Sequence, residues 1–118
     1  MKLIIAIIRP ERLDAVQAEL QGALDEGDLY RLTEHTVDGH GRQAGEVEYF
    51  RGHAVRQRMI QRTQITIGVN DAYVEAAIAA IERGARTGQG EVGDGKIFVL
   101  PLEECVRIRT GERGGKAI

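Results

Sequence analysis

The chain has 118 residues, of which 29% are charged, and its formal net charge at pH 7 is -2. This length predicts a single domain spanning residues 1–118, and the slight negative charge argues against a nucleic-acid-binding protein, which usually carries a clear basic excess. The single cysteine, Cys105, excludes an internal disulfide and fits a reducing compartment. The apolar run at residues 3–8 is too short for an export signal because Arg9 and Pro10 interrupt it, and no segment is long enough to cross a bilayer. We therefore expect a cytoplasmic protein that reaches a membrane only through a partner.

The start of the chain predicts a strand followed by a helix. Residues 3–8 are apolar without a break and rich in β-branched side chains, which is typical of a strand covered on both faces. Pro10 suits the first turn of a helix, where its missing N–H costs nothing. Apolar side chains then recur at helical spacing between positions 13 and 24, and the turn-forming residues 25–28 end this helix.

A second helix is predicted after residue 70. Asn70 or Asp71 can cap its start, its apolar stripe covers residues 74–81, and the helix is predicted to end at Gly84.

Further strands are predicted on both sides of that helix. They are placed at residues 29–38, 64–69 and 96–100, with a short fifth strand at residues 105–108. The glycine-rich and charged end, residues 111–118, is predicted to be a mobile tail.

The resulting order, βαββαβ, predicts an α+β domain of the ferredoxin-like kind, an antiparallel sheet with both helices on one face. Two helices cover one face only, whereas the first strand is apolar on both. We expect another copy of the chain to cover the second face.

A long connection joins the second and third strands. Residues 40–61, here called the arm, exceed the usual length of a connection in a compact domain, and such connections are usually functional. The arm carries adjacent Tyr49 and Phe50, which favours a segment that docks to a partner over a plain surface loop.

Three short segments combine free backbone amides with positive charge, the chemistry that a polyphosphate requires. Glycine turns let main-chain N–H groups approach phosphate oxygens, lysine supplies a compact charge, and arginine supplies a fork of donors. The segments are Gly39-His40-Gly41-Arg42-Gln43, Gly93-Asp94-Gly95-Lys96 and Arg107-Ile108-Arg109. Singly, each is more often a hairpin turn or the exposed face of a strand. Together they indicate a nucleotide site.

The histidines carry a weaker signal. His35, His40 and His53 lack the spacing of metal ligands, so they are interpreted as surface or loop residues.

The motifs, in this order, resemble those of the PII family of nitrogen-regulatory signal proteins. The matching stretches run along the whole chain, at residues 6–10, 39–43, 51–52, 87–88, 93–99 and 106–112. The resemblance implies a regulator that is not an enzyme: a homotrimer with ATP or ADP in the clefts between subunits. It also implies that the arm, the T-loop of the family, contacts a target transporter or enzyme, and that 2-oxoglutarate binds with Mg-ATP in many members.

Transferred position by position, the resemblance implies a divided site. Phosphates would be held by Gly39, His40, Gly41, Arg42, Gln43, Gly93, Asp94, Gly95 and Lys96 of one copy and by Arg107 and Arg109 of its neighbour. Adenine and ribose would be framed by Ile7, Thr33, Thr66, Ile67 and Gly68. Gln43 would bind Mg²⁺ together with phosphate oxygens, and Gln43 and Arg62 would contact 2-oxoglutarate.

The arm departs from the family pattern at its modification sites. Val55 stands where many members carry the tyrosine that is uridylylated, and His53 replaces a serine that is phosphorylated in some relatives. We therefore expect no uridylylation of the familiar kind.

The predicted site departs from the pattern at three further points. Arg62 replaces the lysine that pairs with 2-oxoglutarate, which keeps the charge but changes the reach. Thr66 replaces a glutamate early in the third strand, a change expected to loosen adenine recognition or anchoring of the arm. Residues 89–92 make a link two residues longer than usual and bring Glu91 near the phosphates, where a carboxylate is expected to repel ATP or to favour a less charged nucleotide.

The favoured interpretation is a trimeric adenine-nucleotide sensor that controls a transporter or enzyme in nitrogen regulation or a related pathway. An alternative is a sensor for a different transport system, such as metal efflux, that responds to nucleotides without 2-oxoglutarate. A slow ATPase is less favoured, since the nearby carboxylates, Asp94 and Glu91, lie in no recognised catalytic motif. A scaffold that has lost its ligand is a further alternative.

Overall fold

A computed structural model describes residues 1–24, 31–40, 47–50, 53–56 and 59–118, with the backbone alone described at 47–50 and 53–56. Four strands form the main sheet: β1 (Lys2–Ile8), β2 (Leu32–Gly39), β5 (Ile60–Val69) and β6 (Gly95–Pro101). Two more, β3 (Val47–Phe50) and β4 (His53–Arg56), pair with each other as a separate ribbon. The helices are α1 (Leu13–Ala23) and α2 (Val74–Ala85), each preceded by one turn of 3-10 helix.

The main sheet is antiparallel throughout, in the order β2-β5-β1-β6. The first strand of the chain therefore lies in the interior of the sheet, as its unbroken apolar run predicts. This arrangement of sheet and helices confirms the predicted ferredoxin-like α+β fold.

The hydrophobic core lies between the helices and one face of the sheet. Alternate residues of β1, Ile4, Ala6 and Ile8, are buried there together with Ile65 and Ile67 of β5. The opposite face, here called the open face, carries apolar side chains that remain accessible. Phe98 is 48% exposed and Leu100 is 42% exposed.

The two helices meet at Gly84, which was predicted to end α2. That prediction is wrong, because α2 continues to Ala85 and Gly84 lies inside it. A Cβ atom at Gly84 would lie 2.6 Å from the Cα atom of Val16 on α1. The glycine is therefore explained by close helix packing.

The predicted cap of the second helix also takes a different form. Asn70 makes no side-chain capping bond; its Nδ2 donates instead to the Gly115 carbonyl at 3.0 Å. The Asp71 carboxylate accepts from the amino group of Met1 at 2.8 Å.

The strand that was predicted to begin at residue 64 begins four residues earlier, at Ile60. The ladder between β2 and β5 extends to Gly39 and Ile60, so residues 60 and 61 belong to the sheet and not to the arm. Sequence alternation missed them because their side chains are poorly buried. Residues 29 and 30 of the predicted second strand lie outside the described residues.

The predicted fifth strand at residues 105–108 is wrong. Val106 forms one isolated bridge, to Arg113, and the chain then turns. The turn is closed by the amides of Thr110 and Gly111, which both donate to the Arg107 carbonyl. This local pairing replaces a ladder to the main sheet.

The end of the chain, for which a mobile tail is predicted, carries local structure. Gly114–Ala117 forms a turn of 3-10 helix, Ala117 is buried, and the Asn70 side chain holds Gly115. None of the helices that the structure describes combines the length and apolarity needed to cross a membrane.

Candidate ligand-binding site

A cleft of about 600 Å³ opens on the sheet between the start of β6 and the paired ends of β2 and β5. Its lining combines glycines, apolar side chains and charged groups: Ile7, Gly39, His40, Ile60, Arg62, Glu91, Val92, Gly93, Asp94, Gly95, Lys96 and Phe98. Seven of these are predicted nucleotide-site residues, and Arg62 is one of the two predicted effector residues.

Strand register explains why residues so far apart in sequence meet here. Ile7 of β1 is paired with Lys96 of β6, and Gly39 of β2 is paired with Ile60 of β5. Paired residues point to the same face of an antiparallel sheet. The ends of four strands therefore converge on the open face.

Residues 93–96, here called the glycine turn, form one wall of the cleft. Gly93 and Gly95 have φ values of 97° and 120°, in the left-handed region that favours glycine. A Cβ atom at Gly95 would overlap the carbonyl oxygen of Ile7. Glycine at this position lets β6 begin in contact with β1.

The Asp94 side chain holds the glycine turn to the loop before it. Its Oδ2 accepts from the amides of Thr87, at 3.0 Å, and Glu91, at 2.9 Å. Its Oδ1 accepts from the Thr87 hydroxyl and from Arg9 Nε, the latter at 3.3 Å. The carboxylate therefore faces the protein and organises the turn.

These contacts determine the pKa of Asp94. Burial alone would raise it, but the hydrogen bonds from Glu91, Thr87 and Arg9 outweigh burial and hold the pKa of this carboxyl far below its usual range. Asp94 therefore stays ionised, and it is a poor proton acceptor for catalysis.

Sequence reasoning did not place Ile60, Val92 and Phe98 of the lining in the site, nor Arg9 and Thr87, which hold the glycine turn. Arg9 also donates from Nη2 to the Val92 carbonyl at 2.9 Å. Arg9 and Thr87 both lie in stretches that carried the family resemblance, at residues 6–10 and 87–88, and that was the only signal for them. Their role is to position the glycine turn.

The cleft contains charges of both signs. Lys96 is exposed within it, and Arg62 lies at the far side, where its Nη1 donates to the Gln61 carbonyl at 3.1 Å. Glu91 contributes a carboxylate that lies 3.3 Å from the Thr87 hydroxyl, whose single hydrogen is directed to the closer Asp94 carboxylate. Among the described lining residues, the cations Lys96 and Arg62 thus share the cleft with the accessible carboxylate of Glu91.

The residues predicted to frame adenine and ribose divide between the two faces of the sheet. Thr33 and Thr66 are paired on the open face, and the Thr33 hydroxyl donates to the Thr66 carbonyl at 3.4 Å. Gly68 lies farther along the same face, near Leu102. The Ile67 side chain is 1% exposed in the core, so only its backbone is available to a ligand.

The predicted C-terminal arginines do not line the cleft of their own chain. Arg107 is held by Glu112 Oε1 at 2.9 Å and by the Lys116 carbonyl at 3.0 Å, whereas Arg109 is exposed. Gly41, Arg42 and Gln43, including the predicted Mg²⁺ ligand, lie outside the described residues. Within the described ranges, no cluster of three or more His, Cys, Asp or Glu side chains could hold a metal ion.

Comparison with known proteins places this geometry in a family. Residues 1–112 match the family model described as "Nitrogen regulatory protein P-II". The chain is 48% identical to nitrogen regulatory protein GlnK1 of Methanosarcina mazei over 118 residues, which cover all of this chain and 97% of the relative.

Bacterial relatives show the same full-length similarity. Nitrogen regulatory protein P-II of Rhodospirillum rubrum is 47% identical, and that of Azospirillum brasilense is 46% identical, each over the whole of both chains. With the ferredoxin-like sheet and the glycine turn already in place, a match of this extent shows that the chain belongs to the P-II family of nitrogen regulatory proteins.

Proposed function

We propose that this P-II family protein is a homotrimeric sensor of adenine nucleotides that controls a target transporter or enzyme through its arm. One observation carries the proposal: the glycine turn, with Lys96 exposed beside it, faces the Gly39-His40 end of β2 across one cleft. Backbone amides and a lysine at a glycine turn are suited to phosphate oxygens.

The cleft supports a nucleotide by its mixed chemistry. Ile7 and Phe98 supply apolar surface suited to a base, and Lys96 and Arg62 supply charge suited to phosphates. The Asp94 carboxylate is turned toward Thr87 and Arg9 and away from the proposed phosphate position. It therefore repels phosphates less than a carboxylate that faced them would.

A trimer would complete the site. The accessible apolar side chains of the open face, Phe98 and Leu100 among them, favour burial against further copies of the chain. Arg109 is exposed and unconnected to its own cleft lining, so a neighbouring copy could receive it. Arg107 and Arg109 of that neighbour would add two positive charges around the triphosphate. The positive charge of the site would then approach the negative charge of free ATP, which is about four.

Magnesium and 2-oxoglutarate belong to the proposal as co-ligands. The Asp94 carboxylate is engaged by the backbone of the glycine turn and is therefore not available to a metal ion. Glu91 is the one accessible carboxylate of the described cleft lining, and one carboxylate does not make a metal site. Mg²⁺ would therefore be held chiefly by phosphate oxygens and Gln43. Arg62, in the same cleft, would pair with a carboxylate of 2-oxoglutarate.

The comparisons favour nitrogen regulation over a different transport system. The relatives named above all carry nitrogen-regulatory names. An ATPase is not favoured, because the Asp94 carboxylate is committed to the turn and poorly basic.

Titration calorimetry with ATP, ADP and AMP, each with and without Mg²⁺ and 2-oxoglutarate, tests the nucleotide proposal. We expect Lys96→Ala to weaken ATP binding by about tenfold or more, since it removes a charge-assisted contact. The matched control is Lys2→Ala, at the opposite end of the β1–β6 ladder. Absence of binding by every adenine nucleotide would contradict the proposal, whereas absence of a 2-oxoglutarate effect would contradict only its effector part.

Light scattering tests the assembly. We expect the mass of three chains for the natural protein and a smaller species for Phe98→Asp, which places a charge on the open face. A monomer at all concentrations would contradict the trimer.

A further inference from the structure

We propose that Glu91 makes the cleft selective by ligand charge: its carboxylate disfavours nucleotides with more phosphate charge and so favours metal-bound ATP over free ATP. This inference rests on the proposed nucleotide binding and extends the repulsion expected at Glu91 to a ranking of AMP, ADP, free ATP and metal-bound ATP.

Glu91 is positioned by its backbone independently of its side-chain charge. Its amide donates to Asp94 Oδ2 at 2.9 Å, and its carbonyl accepts from the Asp94 amide at 3.1 Å. The amide and the carbonyl of Glu91 are therefore both held by Asp94, and they fix the position from which the Glu91 side chain extends. It emerges in the lining of the cleft that also contains Lys96 and Arg62.

The carboxylate of Glu91 is accessible, unlike that of Asp94. Among the described residues the Glu91 carboxylate forms no ion pair, and its 3.3 Å contact to Thr87 is with a neutral hydroxyl whose single hydrogen is directed to the closer Asp94 carboxylate. Asp94, by contrast, receives four hydrogen bonds, one of them from the Arg9 guanidinium. Among the described charged groups of the lining, Glu91 thus contributes a negative charge without an ion pair, beside the cations Lys96 and Arg62 and the Asp94 carboxylate that is turned toward Arg9.

The effect of this charge depends on the ligand. Coulomb repulsion grows with each phosphate charge brought near the carboxylate, so it is weakest for AMP and strongest for free ATP. A divalent cation on the phosphates lowers the charge of the ligand and therefore the repulsion. Lys96 and Arg62 attract all of these ligands, and Glu91 sets the differences among them.

Glu91→Gln isolates the charge, because glutamine keeps the size of the side chain and the backbone contacts to Asp94. The probes are AMP, ADP, ATP without divalent metal, and Mg-ATP. We expect affinity for metal-free ATP to rise about three- to tenfold, affinity for ADP to rise less, and affinity for AMP and Mg-ATP to change little. Raising the ionic strength to about 0.5 M should reduce the gain, because salt screens exposed charges.

Glu75→Gln is the matched control: it removes the same charge from an exposed position in the first turn of α2, outside the cleft lining. It should leave all four affinities unchanged, and thermal unfolding should show that both variants fold as the natural protein does.

An equal gain for all four ligands, or a gain that does not respond to salt, would overturn the inference and assign Glu91 a loop-structure role. Equal affinities of the variant and the natural protein for metal-free ATP would overturn it as well and leave the nucleotide sensor standing. Failure of the natural protein to bind any of these ligands would overturn both proposals.

Discussion

Arg9 clamps Asp94. Its Nε lies 3.3 Å from the carboxylate, its Nη2 reaches the Val92 carbonyl at 2.9 Å, and each of the two charged side chains is only 17% exposed. One side chain at the end of β1 therefore fixes both the carboxylate that shapes the glycine turn and the backbone beside it. Ligand affinity should depend on this clamp although neither group is directed at the ligand.

We expect Arg9→Gln to weaken nucleotide binding about tenfold, because a charge-assisted pair that positions the glycine turn is lost. Arg9→Lys should recover part of the loss, since lysine restores the charge but cannot reach two acceptors in fixed geometry. Calorimetric titration with ATP measures both. The control is Arg83→Gln, which breaks an exposed ion pair to Glu19 between the helices; an equal loss in that variant would contradict the positioning role.

Asp94 should also make stability depend on pH. Its pKa is lowered on folding from 3.8, so the unfolded chain binds a proton at a higher pH than the folded one. The stabilisation is therefore present in full above the unfolded value and is lost as pH falls below it, toward the folded pKa. Urea unfolding between about pH 7 and pH 3 should show this decline in the natural protein and a shallower one in Asp94→Asn. Parallel curves would show that other carboxyls dominate.

Gly84→Ala should destabilise the fold. Helix propensity alone would favour alanine by about 1 kcal/mol, but the added Cβ atom would meet the Val16 backbone at 2.6 Å, and overpacking costs about 1–3 kcal/mol. The matched control is Gly22→Ala in α1, where nothing lies within 4 Å of the new atom. That variant should be unchanged or slightly more stable. Denaturant unfolding at one protein concentration compares them, and equal effects would contradict the contact.

Gly95→Ala should impair both folding and binding. The substitution forces a side chain into the left-handed region and against the Ile7 carbonyl. Gly111→Ala is the control, because it introduces a positive-φ strain of about 1 kcal/mol with no neighbour within 4 Å. Thermal unfolding should therefore show a larger loss for Gly95→Ala. Equal losses of thermal stability in the two variants would mean that β6 can move away from β1 without a further loss of stability.

Arg107 and Arg109 should differ in their structural roles. Arg107→Ala removes the contacts to Glu112 and to the Lys116 carbonyl, so hydrogen exchange should quicken at the C-terminal 3-10 turn. Arg109→Ala should leave exchange there unchanged, because Arg109 is exposed. Both should weaken ATP binding if they serve a neighbouring site. An Arg109→Ala variant with natural ATP affinity would remove that residue from the proposed site.

The sequence predicted the fold well where burial leaves a pattern. The apolar run at residues 3–8 and the helical spacing of α1 follow directly from packing on the core. Residues 60 and 61 were missed because pairing at a poorly buried strand end leaves no alternation. The prediction of a strand at residues 105–108 was wrong because the Arg107 carbonyl accepts hydrogen bonds that close a local turn. The alternation of apolar and polar residues in that segment is the same with or without this turn.

The candidate site was predicted less completely. Glycines and a lysine in a motif are visible in one chain, so the glycine turn was found. The clamp by Arg9 was not assigned, because it joins residues 85 positions apart through a register that only the folded sheet defines. Gly84 was misread for a related reason: a glycine that permits helix contact and one that ends a helix look alike in sequence.

The interior position of β1 has a consequence for synthesis. The first strand to leave the ribosome pairs with β5, through Lys2 and Val69, and with β6, through Ile8 and Gly95, so its partners are among the later segments to be translated. The apolar strand β1 therefore stays unpaired until β5 and β6 have been translated, and it is prone to aggregate during that interval. Slow translation of the region that encodes residues 60–101 should prolong this exposure and lower the yield of native protein.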